Sequence, residues 1–389
     1  MKAITSGFAM ALLCGLLNGQ TSKEAKEASE TQAARTKSVT SKGKKVFYTR
    51  SWNLSDLPHY KPEQKVSGTI REWGSNYFAD SPLASYWEHD FQKYQPEVKF
   101  DDHLKTSEHA ISALCFGVSD LGPMGRQIMW DELLAFQRQF DHLPLGITVV
   151  TGSYDVSGWN PAIGIFVNKQ NPLSKLTLKQ LDGIFLGPRT GAYRALTWDE
   201  KLGRARDKNI RTWGQLGLTG EWADKPIHVY GYNLLYHFTE EITTRSFGGL
   251  TNKWNEDLIE YANKTMPDGT LKLAGQLMLE DLSKDPYAIA YVAGGTIWQT
   301  PQTKTVALAA NDNGPYYELN MENVRNRTYP MYADVFFFLN RDPKKPVEPK
   351  LKEYLRYILS QEGQEQVVRD GKYLPLTAKV VHEQLKKLD

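Results

Sequence analysis

From about residue 66 onward, short β-rich runs alternate with amphipathic helical patterns, and this alternation restricts the chain to few folds. Residues 66–73 have the pattern of a strand. Leu83, Trp87 and Phe91 then recur at helical spacing on one face. Strands that alternate with helices generally form a parallel or mixed sheet with helices on both faces. We therefore predict an α/β fold.

The alternation continues to the C-terminal end, with no repeat of fixed period. Further predicted strands are 98–100, 145–150, 162–167, 226–230, 288–292 and 335–339, with 328–332 in the same β-rich return. Further predicted helices are 110–114, 131–140, 176–185 with Thr177 as N-cap, one containing Phe238, Ile242 and Phe247, 351–359, and one from Gly363 to Gly371. Residues 187–208 are predicted to be loop.

Length and charge narrow the class of protein. A chain of 389 residues predicts two domains, or one with a large insertion. Residues 1–45 carry eight Lys/Arg and three Glu, so the net charge of +2 leaves the remainder at −3. A nearly neutral, slightly acidic body argues against a nucleic-acid partner, which requires a basic face.

The N-terminal segment resembles an export signal. Lys2 precedes an apolar run at 8–17 that is short for a membrane span. We predict a signal peptide at 1–20 and a polar, flexible linker at 21–45. Two alternatives stay open: plain cleavage of the signal, or lipidation of Cys14, although Leu13 is a poor fit before a lipidated cysteine. The protein is thus expected to be secreted or periplasmic.

Cys115, the only other cysteine, lies between apolar neighbours and is expected to be a buried small side chain.

The loop 119–126 is a candidate binding loop. It contains Asp120 and Arg126, with three small or turn-forming residues between them. A buried aspartate beside an arginine can distinguish the charge and protonation state of a small oxyanion. A structural ion pair that closes a tight turn explains the same residues equally well.

Several blocks along the chain carry a family resemblance. They are Trp73-Gly-Ser75, 119–126, 171–185, 213–217, 225–231, 285–292, 359–364 and 371–376. In order and spacing they resemble the phosphate-type solute-binding proteins of ABC transporters. The resemblance implies a two-lobed periplasmic binding-protein-like fold of type II, with two crossover strands. Lobe 1 would combine 46–158 with 330–389, and lobe 2 would span 159–329.

The same resemblance implies a non-enzymatic, monomeric protein without cofactor or metal, which passes a small anion such as phosphate to a membrane permease. In lobe 1 it assigns the ligand to Ser75 and Asn76 in the first turn, Thr106 and Ser107 at the second helix, and Asp120 after the third strand. Glu108 departs from the pattern, because its carboxylate would repel an anion.

The sequence of lobe 2 departs further from the family pattern. Tyr232 stands where the family places an arginine, and 235–237 stands where it places Ser-Gly-Thr. Losing that arginine removes a charge-assisted contact. Arg126 is expected to compensate from lobe 1, and Tyr232 and Asn233 are expected to contact ligand from lobe 2. The structural alternatives are a Tyr232 that is simply packed between the lobes, a Ser107 that acts as a simple N-cap, and a His237 that is a core or surface histidine.

Three other functions stay open at this stage. A diverged relative could use the fold as a sensor or scaffold without binding phosphate. An exported phosphoesterase is disfavoured because the sequence has no His-Glu-x-x-His, Gly-x-Ser-x-Gly or Walker motif. A carbohydrate-binding protein is possible, since ten tryptophans could supply stacking platforms, although most are expected in the core.

Overall fold

The computed structural model describes Tyr48, residues 50–156 and residues 158–389. The predicted signal peptide, the linker and Cys14 lie outside this range. Within it, no helix has the length and apolar character needed to cross a membrane.

The predicted alternation of strands and helices is confirmed. The strands are β1 Gly68–Gly74, β2 Val98–Leu104, β3 Gly122–Met124, β4 Leu145–Thr151, β5 Ile163–Asn168, β6 Lys175–Thr177, β7 Ala192–Arg194, β8 Thr197–Asp199, β9 His228–Tyr232, β10 Ile259–Tyr261, β11 Lys264–Thr265, β12 Leu271–Lys272, β13 Ala288–Ala293, β14 Thr303–Thr305, β15 Ala307–Ala309 and β16 Asp334–Leu339. The α-helices are Leu83–Gln92, Glu108–Cys115, Trp130–Phe140, Leu178–Phe185, His237–Glu241, Ala274–Leu282, Met321–Arg325, Pro349–Ile358, Gln361–Asp370 and Ala378–Leu385.

The main strands form two sets with the same order. In the first set β1 pairs with β2 in parallel, and β16 lies antiparallel between β3 and β4. A parallel bridge between Glu72 and Leu121 joins these two pieces. In the second set the order is β10-β9-β13-β5-β14, with β5 antiparallel to both neighbours. We call the first set with its helices lobe 1 and the second lobe 2.

Each lobe therefore contains one strand that the chain reaches only by crossing over from the other lobe. The segment after β4 leads to β5, and the segment before β16 returns to lobe 1. These two crossings are joined by backbone hydrogen bonds from Gly152 N to Ala333 O at 2.9 Å and from Ile163 N to Met331 O at 3.0 Å. A Cβ on Gly152 would lie 2.0 Å from Asn160 O, so this approach requires glycine.

Local signals explain where the helices begin and end. Thr177 Oγ1 accepts from Gln180 N, and the Gln180 side chain accepts from Thr177 N, as in a capping box. Gly371, with φ of 71°, ends the helix Gln361–Asp370. Trp87 and Phe91, predicted on one face, are both buried completely. These helices agree with the sequence prediction because their capping residues and their buried apolar positions indicate the same bounds.

Several predicted elements differ in the structure. Within 187–208, predicted to be loop, β7 and β8 form a hairpin and short 3-10 turns follow. Phe247 lies beyond its helix, which changes to a π-helical turn at Ile242–Ser246. Residues 328–332 form no strand, because their backbone bonds go to the crossing and to local turns. After β10, β11 and β12 pair in an antiparallel hairpin, with a turn at Gly269.

A group of carboxyl side chains lies on the face of β1 and β2 that the helix Leu83–Gln92 covers. Glu72 and Asp102 are register partners on these strands, and Glu88 comes from the helix. Glu72 is only 1% exposed, and its Oε1 has no hydrogen-bond partner among the described residues. Burial, with Asp102 and Glu88 nearby, raises the pKa of Glu72 well above its usual range. Burial and Asp102 raise the pKa of Glu88 to about 8.

These carboxyl groups predict a pH dependence of stability. An acid whose pKa is raised by folding holds a proton in the folded state that the unfolded chain releases near pH 4.3. Stability is therefore highest below roughly pH 4.3 for these groups and falls as the pH rises toward about 8. Urea unfolding at about pH 5 and about pH 8 should show this loss, and Glu72→Gln should reduce it. The exposed Glu97→Gln is the control; an equal slope in both variants would contradict the prediction.

Candidate functional site

The first turn after β1 lies against the strand β3. Ser75 N donates to Pro123 O at 2.8 Å, and a Cβ on Gly74 would lie 2.0 Å from the same oxygen. Gly74 is therefore required for the two strand ends to meet. The Ser75 side chain is buried completely, and its Oγ accepts from Tyr77 N at 3.4 Å. The turn thus presents a hydroxyl at the carboxyl edge of the sheet.

Two hydroxyl groups converge on Gly125, which follows β3. Gly125 N donates to Ser107 Oγ at 3.2 Å. A Cβ on Gly125 would lie 3.2 Å from Ser75 Oγ and 3.8 Å from Ser107 Oγ. Ser107 precedes the helix Glu108–Cys115 but makes no side-chain cap bond to it. The simple N-cap alternative for Ser107 is therefore not what the structure has, and its hydroxyl faces the loop after β3.

The neighbours of these serines already have partners. Asn76 Nδ2 donates to Asp80 Oδ2 at 2.7 Å, which ties this side chain to its own turn. Thr106 N donates to Gly74 O at 2.8 Å, and its Oγ1 donates to the carboxylate of Glu108. Of the predicted lobe 1 residues, the structure thus brings together Ser75, Thr106 and Ser107, while Asn76 is turned toward Asp80.

The prediction that Asp120 follows the third strand is wrong. Asp120 precedes β3, and its carboxylate binds Arg71 with Oδ1 2.6 Å from Nη2 and Oδ2 3.2 Å from Nε. Lys350 Nζ lies 3.5 Å from Oδ2. Burial opposes its ionisation, but Arg71 and Lys350 outweigh burial and hold the pKa of Asp120 below its usual value. Asp120 therefore takes part in the structural ion pair that the sequence left open as an alternative, with Arg71 rather than Arg126.

The residue that sequence reasoning missed is Gly125. It occupies the carboxyl end of β3, where the acid was expected, and has no side chain of its own to offer. The available signal was the short apolar run 121–124, which places the end of the strand after Met124 and not before Asp120. The run is only a few residues long, so its strand was easily placed too early.

Arg126 follows Gly125 directly, and its side chain is 5% exposed. Its Nη1 and Nη2 donate to the two oxygens of Glu132 at 2.8 and 2.7 Å. Its Nε is buried without a hydrogen-bond partner among the described residues and lies 3.8 Å from Glu108 Oε1. Burial opposes the charge, but Glu132 outweighs burial, so the pKa of Arg126 is raised and the group stays charged.

Lobe 2 does not present the residues that were predicted to contact ligand. Tyr232 is 4% exposed, stacks on Phe238 at 4.5 Å, and its hydroxyl accepts from Ala293 N at 3.0 Å. Burial raises its pKa. Asn233 Oδ1 accepts from Leu235 N at 3.1 Å and so supports its own turn. Tyr232 is thus a core side chain of lobe 2, and the expectation that it faces the ligand is wrong.

The start of the helix Trp130–Phe140 makes direct contacts between the lobes. Trp130 N donates to the Glu240 carboxylate, and its indole Nε1 donates to Ala195 O at 3.1 Å. The Trp130 ring lies 5.3 Å from that of Tyr193. A carboxylate at a helix N-terminus is favoured by the helix dipole. Burial and the nearby Asp131 and Glu132 nevertheless raise the pKa of Glu240.

A second carboxylate from lobe 2 faces the same region. Glu241 is 5% exposed and lies 3.5 Å from Arg245 Nη1. Burial raises its pKa, although Arg245 and Arg126 partly offset the effect. Among the residues that the structure describes, no cluster of His, Cys, Asp or Glu could hold a metal ion. Charged groups of both lobes thus lie close together here, and each has a partner of opposite charge or a backbone donor.

Two sheets of identical strand order joined by two crossings, with hydroxyl groups where the strands end, define a solute-binding protein. The chain belongs to the PBP superfamily, whose domain model matches residues 62–362, and within it to the phosphate-type solute-binding proteins. It is 31% identical over 332 residues to the phosphate-binding protein PstS of Pseudomonas aeruginosa PAO1, an alignment that covers 85% of this chain and 90% of that protein. The family resemblance seen in the sequence is confirmed.

Solved structures with similarity to the chain include a possible phosphate-binding protein from Planctomyces limnophilus, with a TM-score of 0.44 and 16% identity over 83% of this chain and 98% of that one. PstS from Borrelia burgdorferi has a TM-score of 0.47 and 13% identity over 81% of this chain and 100% of that one.

The inter-lobe contacts of Trp130 predict a measurable change in lobe opening. Trp130→Phe keeps a ring near Tyr193 but removes the indole N–H, and Glu240→Gln weakens the contact at the helix N-terminus. Each loses a contribution on the order of 1 kcal/mol to the closed arrangement. Small-angle X-ray scattering of the double variant should give a larger radius of gyration than the parent chain. Trp222→Phe, within lobe 2, is the control, and equal radii in all three proteins would contradict the prediction.

Proposed function

We propose that the chain captures inorganic phosphate between its lobes and delivers it to an ABC-type permease. The observation that carries the proposal is the convergence of Ser75 Oγ, Ser107 Oγ and Gly125 N at the carboxyl edge of the lobe 1 sheet. Open α/β sheets bind ligands at that edge. The similarity to the phosphate-binding protein of Pseudomonas aeruginosa supports phosphate as the ligand.

The groups around Ser107 suit a tetrahedral oxyanion. Hydroxyls and backbone N–H groups donate to oxygen without carrying charge, and the helix Glu108–Cys115 directs the positive end of its dipole toward the same place. Arg126 supplies a permanent positive charge from a buried position. With Glu132 already bound to Arg126, we assign the direct contacts to the serines and backbone and a longer-range attraction to Arg126.

Glu108 gives the site a means to distinguish anions. Its carboxylate is 67% exposed and lies beside Thr106 and Arg126. A phosphate that keeps a proton can donate to a carboxylate, whereas sulfate, fully ionised at neutral pH, has no proton to donate. We therefore infer that Glu108 accepts a hydrogen bond from phosphate and repels sulfate.

The remaining assignments follow the same proposal. The protein would be exported, would act as a monomer, and would have no catalytic activity or cofactor. Its partners would be the anion and the permease. Whether Cys14 carries a lipid or leaves with the signal is decided by the mass of the mature protein from cell fractions, because acylation adds a hydrophobic mass that plain cleavage does not.

Calorimetric titration with phosphate tests the proposal, after unfolding and refolding of the protein to remove bound ligand. We expect micromolar or tighter binding that Ser107→Ala weakens by at least about tenfold, since one hydrogen bond to a charged group contributes roughly 1.5–3 kcal/mol. Ser112→Ala is the matched control, because Ser112 lies on the same helix and donates to the carbonyls of Glu108 and His109. Absence of heat at millimolar phosphate would identify a diverged binding protein with another ligand.

Glu108→Gln tests the discrimination between anions. Removing the negative charge should strengthen sulfate binding relative to phosphate, because repulsion is lost for sulfate, whereas phosphate exchanges a charged acceptor for the weaker neutral amide oxygen. Competition of sulfate against phosphate measures the ratio of the two dissociation constants. Glu97→Gln, an exposed change elsewhere in lobe 1, is the control and should leave the ratio of the two dissociation constants unchanged. An unchanged ratio in Glu108→Gln would contradict the inference.

A further inference from the structure

A cavity of about 310 Å³ lies beside the hairpin of β7 and β8. Trp130 of lobe 1 and Tyr193 and Trp198 of lobe 2 contribute their side chains to its walls. Small-molecule pockets typically occupy about 300–1,000 Å³, are lined by aromatic side chains and occur at interfaces between domains. The cavity meets all three conditions, and the phosphate proposal makes no use of it.

The aromatic rings are held in place by the backbone. Tyr193 and Trp198 are register partners across the hairpin, and their ring centroids lie 5.2 Å apart. A Cβ on Gly191 would lie 2.6 Å from Trp198 Cε2, so the indole packs directly on the glycine backbone. Two backbone hydrogen bonds, at 2.8 and 3.0 Å, join Tyr193 to Leu250. The rings stay partly open to solvent, with Tyr193 37% and Trp198 46% exposed.

Ring geometry favours a ligand that is not flat. The planes of Trp130 and Tyr193 are inclined by 53°, and those of Tyr193 and Trp198 by 73°. Neither pair forms a parallel slot into which a planar aromatic ring could slide. Inclined rings instead form a trough whose faces can each meet the C–H groups of a puckered ring.

The polar walls exclude a cation. Thr190 and Asn252 supply a hydroxyl and an amide, and Arg189 and Lys253 supply positive charge. The Arg189 guanidinium is bound to both oxygens of Asp182 at 2.7 and 2.8 Å. Among the described residues that line the cavity, none is acidic. An ammonium ligand would therefore be repelled, whereas a ligand rich in hydroxyl groups could both donate and accept hydrogen bonds here.

We propose that this cavity is a carbohydrate-binding site for one or two pyranose rings, distinct from the phosphate cleft. Trp198 and Tyr193 form the stacking platform, and Thr190, Asn252 and Lys253 bind the sugar hydroxyls. Trp130 closes the trough from lobe 1, so bound sugar contacts both lobes. Two of the ten tryptophans that left a carbohydrate binder open in the sequence thus meet at this cavity.

Saturation-transfer NMR with the full chain tests the site, with cellobiose and N,N′-diacetylchitobiose as probes and 4-hydroxyphenylacetate as a planar aromatic control. We expect at least one disaccharide to bind with a millimolar or lower dissociation constant. Trp198→Ala should weaken it by about tenfold or more, because the variant removes the larger ring of the stacking platform. Trp222→Ala, which removes a lobe 2 tryptophan outside the cavity, should leave sugar binding unchanged.

Two further comparisons complete the test. Gly191→Ala keeps every aromatic side chain but displaces the Trp198 ring, and it should also weaken the sugar. Phosphate binding should be unaffected by Trp198→Ala, which separates this site from the cleft. The proposal is overturned if neither disaccharide binds at millimolar concentration, if Trp198→Ala binds sugar as the parent does, or if only the planar aromatic acid binds.

Discussion

The backbone hydrogen bonds between the two crossings are the constraint on which the rest of the molecule depends. Gly152 N to Ala333 O and Ile163 N to Met331 O join segments that come from distant parts of the sequence. Since β5 and β16 extend directly from these crossings, the position of each sheet follows from them. A side chain at Gly152 would meet Asn160 O in its own crossing and, at 2.9 Å, the Cβ of Ala333 in the other. The cleft and the aromatic cavity both lie between parts that this crossing holds together.

The sequence predicted the secondary structure well wherever two signals coincided. The helix Leu178–Phe185 has both a capping box and an apolar face, and the helix Gln361–Asp370 ends at a glycine with positive φ. The hairpin of β7 and β8 escaped prediction because its strands are three residues long and largely exposed, so they show no clear apolar alternation. Its backbone bonds to Leu250 join residues far apart in sequence, which local periodicity cannot reveal.

The candidate site was predictable only in part. Ser75 and Ser107 were named from the family resemblance, and the structure brings them together beside Gly125. Asp120 was misplaced by the length of one short strand, and its charge is used by Arg71 and Lys350. Tyr232 faces the core instead of the cleft, since the alternation of a strand is easily assigned to the wrong face when both faces are apolar. Gly125, which has no chemistry of its own, could be recognised only by what surrounds it.

The contact between Trp130 and lobe 2 lies outside the group of serines that we assign to the anion. Its free energy therefore adds to closure whichever solute occupies the cleft. In a protein that alternates between open and closed forms, apparent affinity is the intrinsic affinity multiplied by the fraction of molecules competent to bind. Residues such as Trp130 and Glu240 can then change how tightly every solute is held without changing which one is preferred. Selectivity and retention would be encoded in different residues, and evolution could adjust one while leaving the other intact.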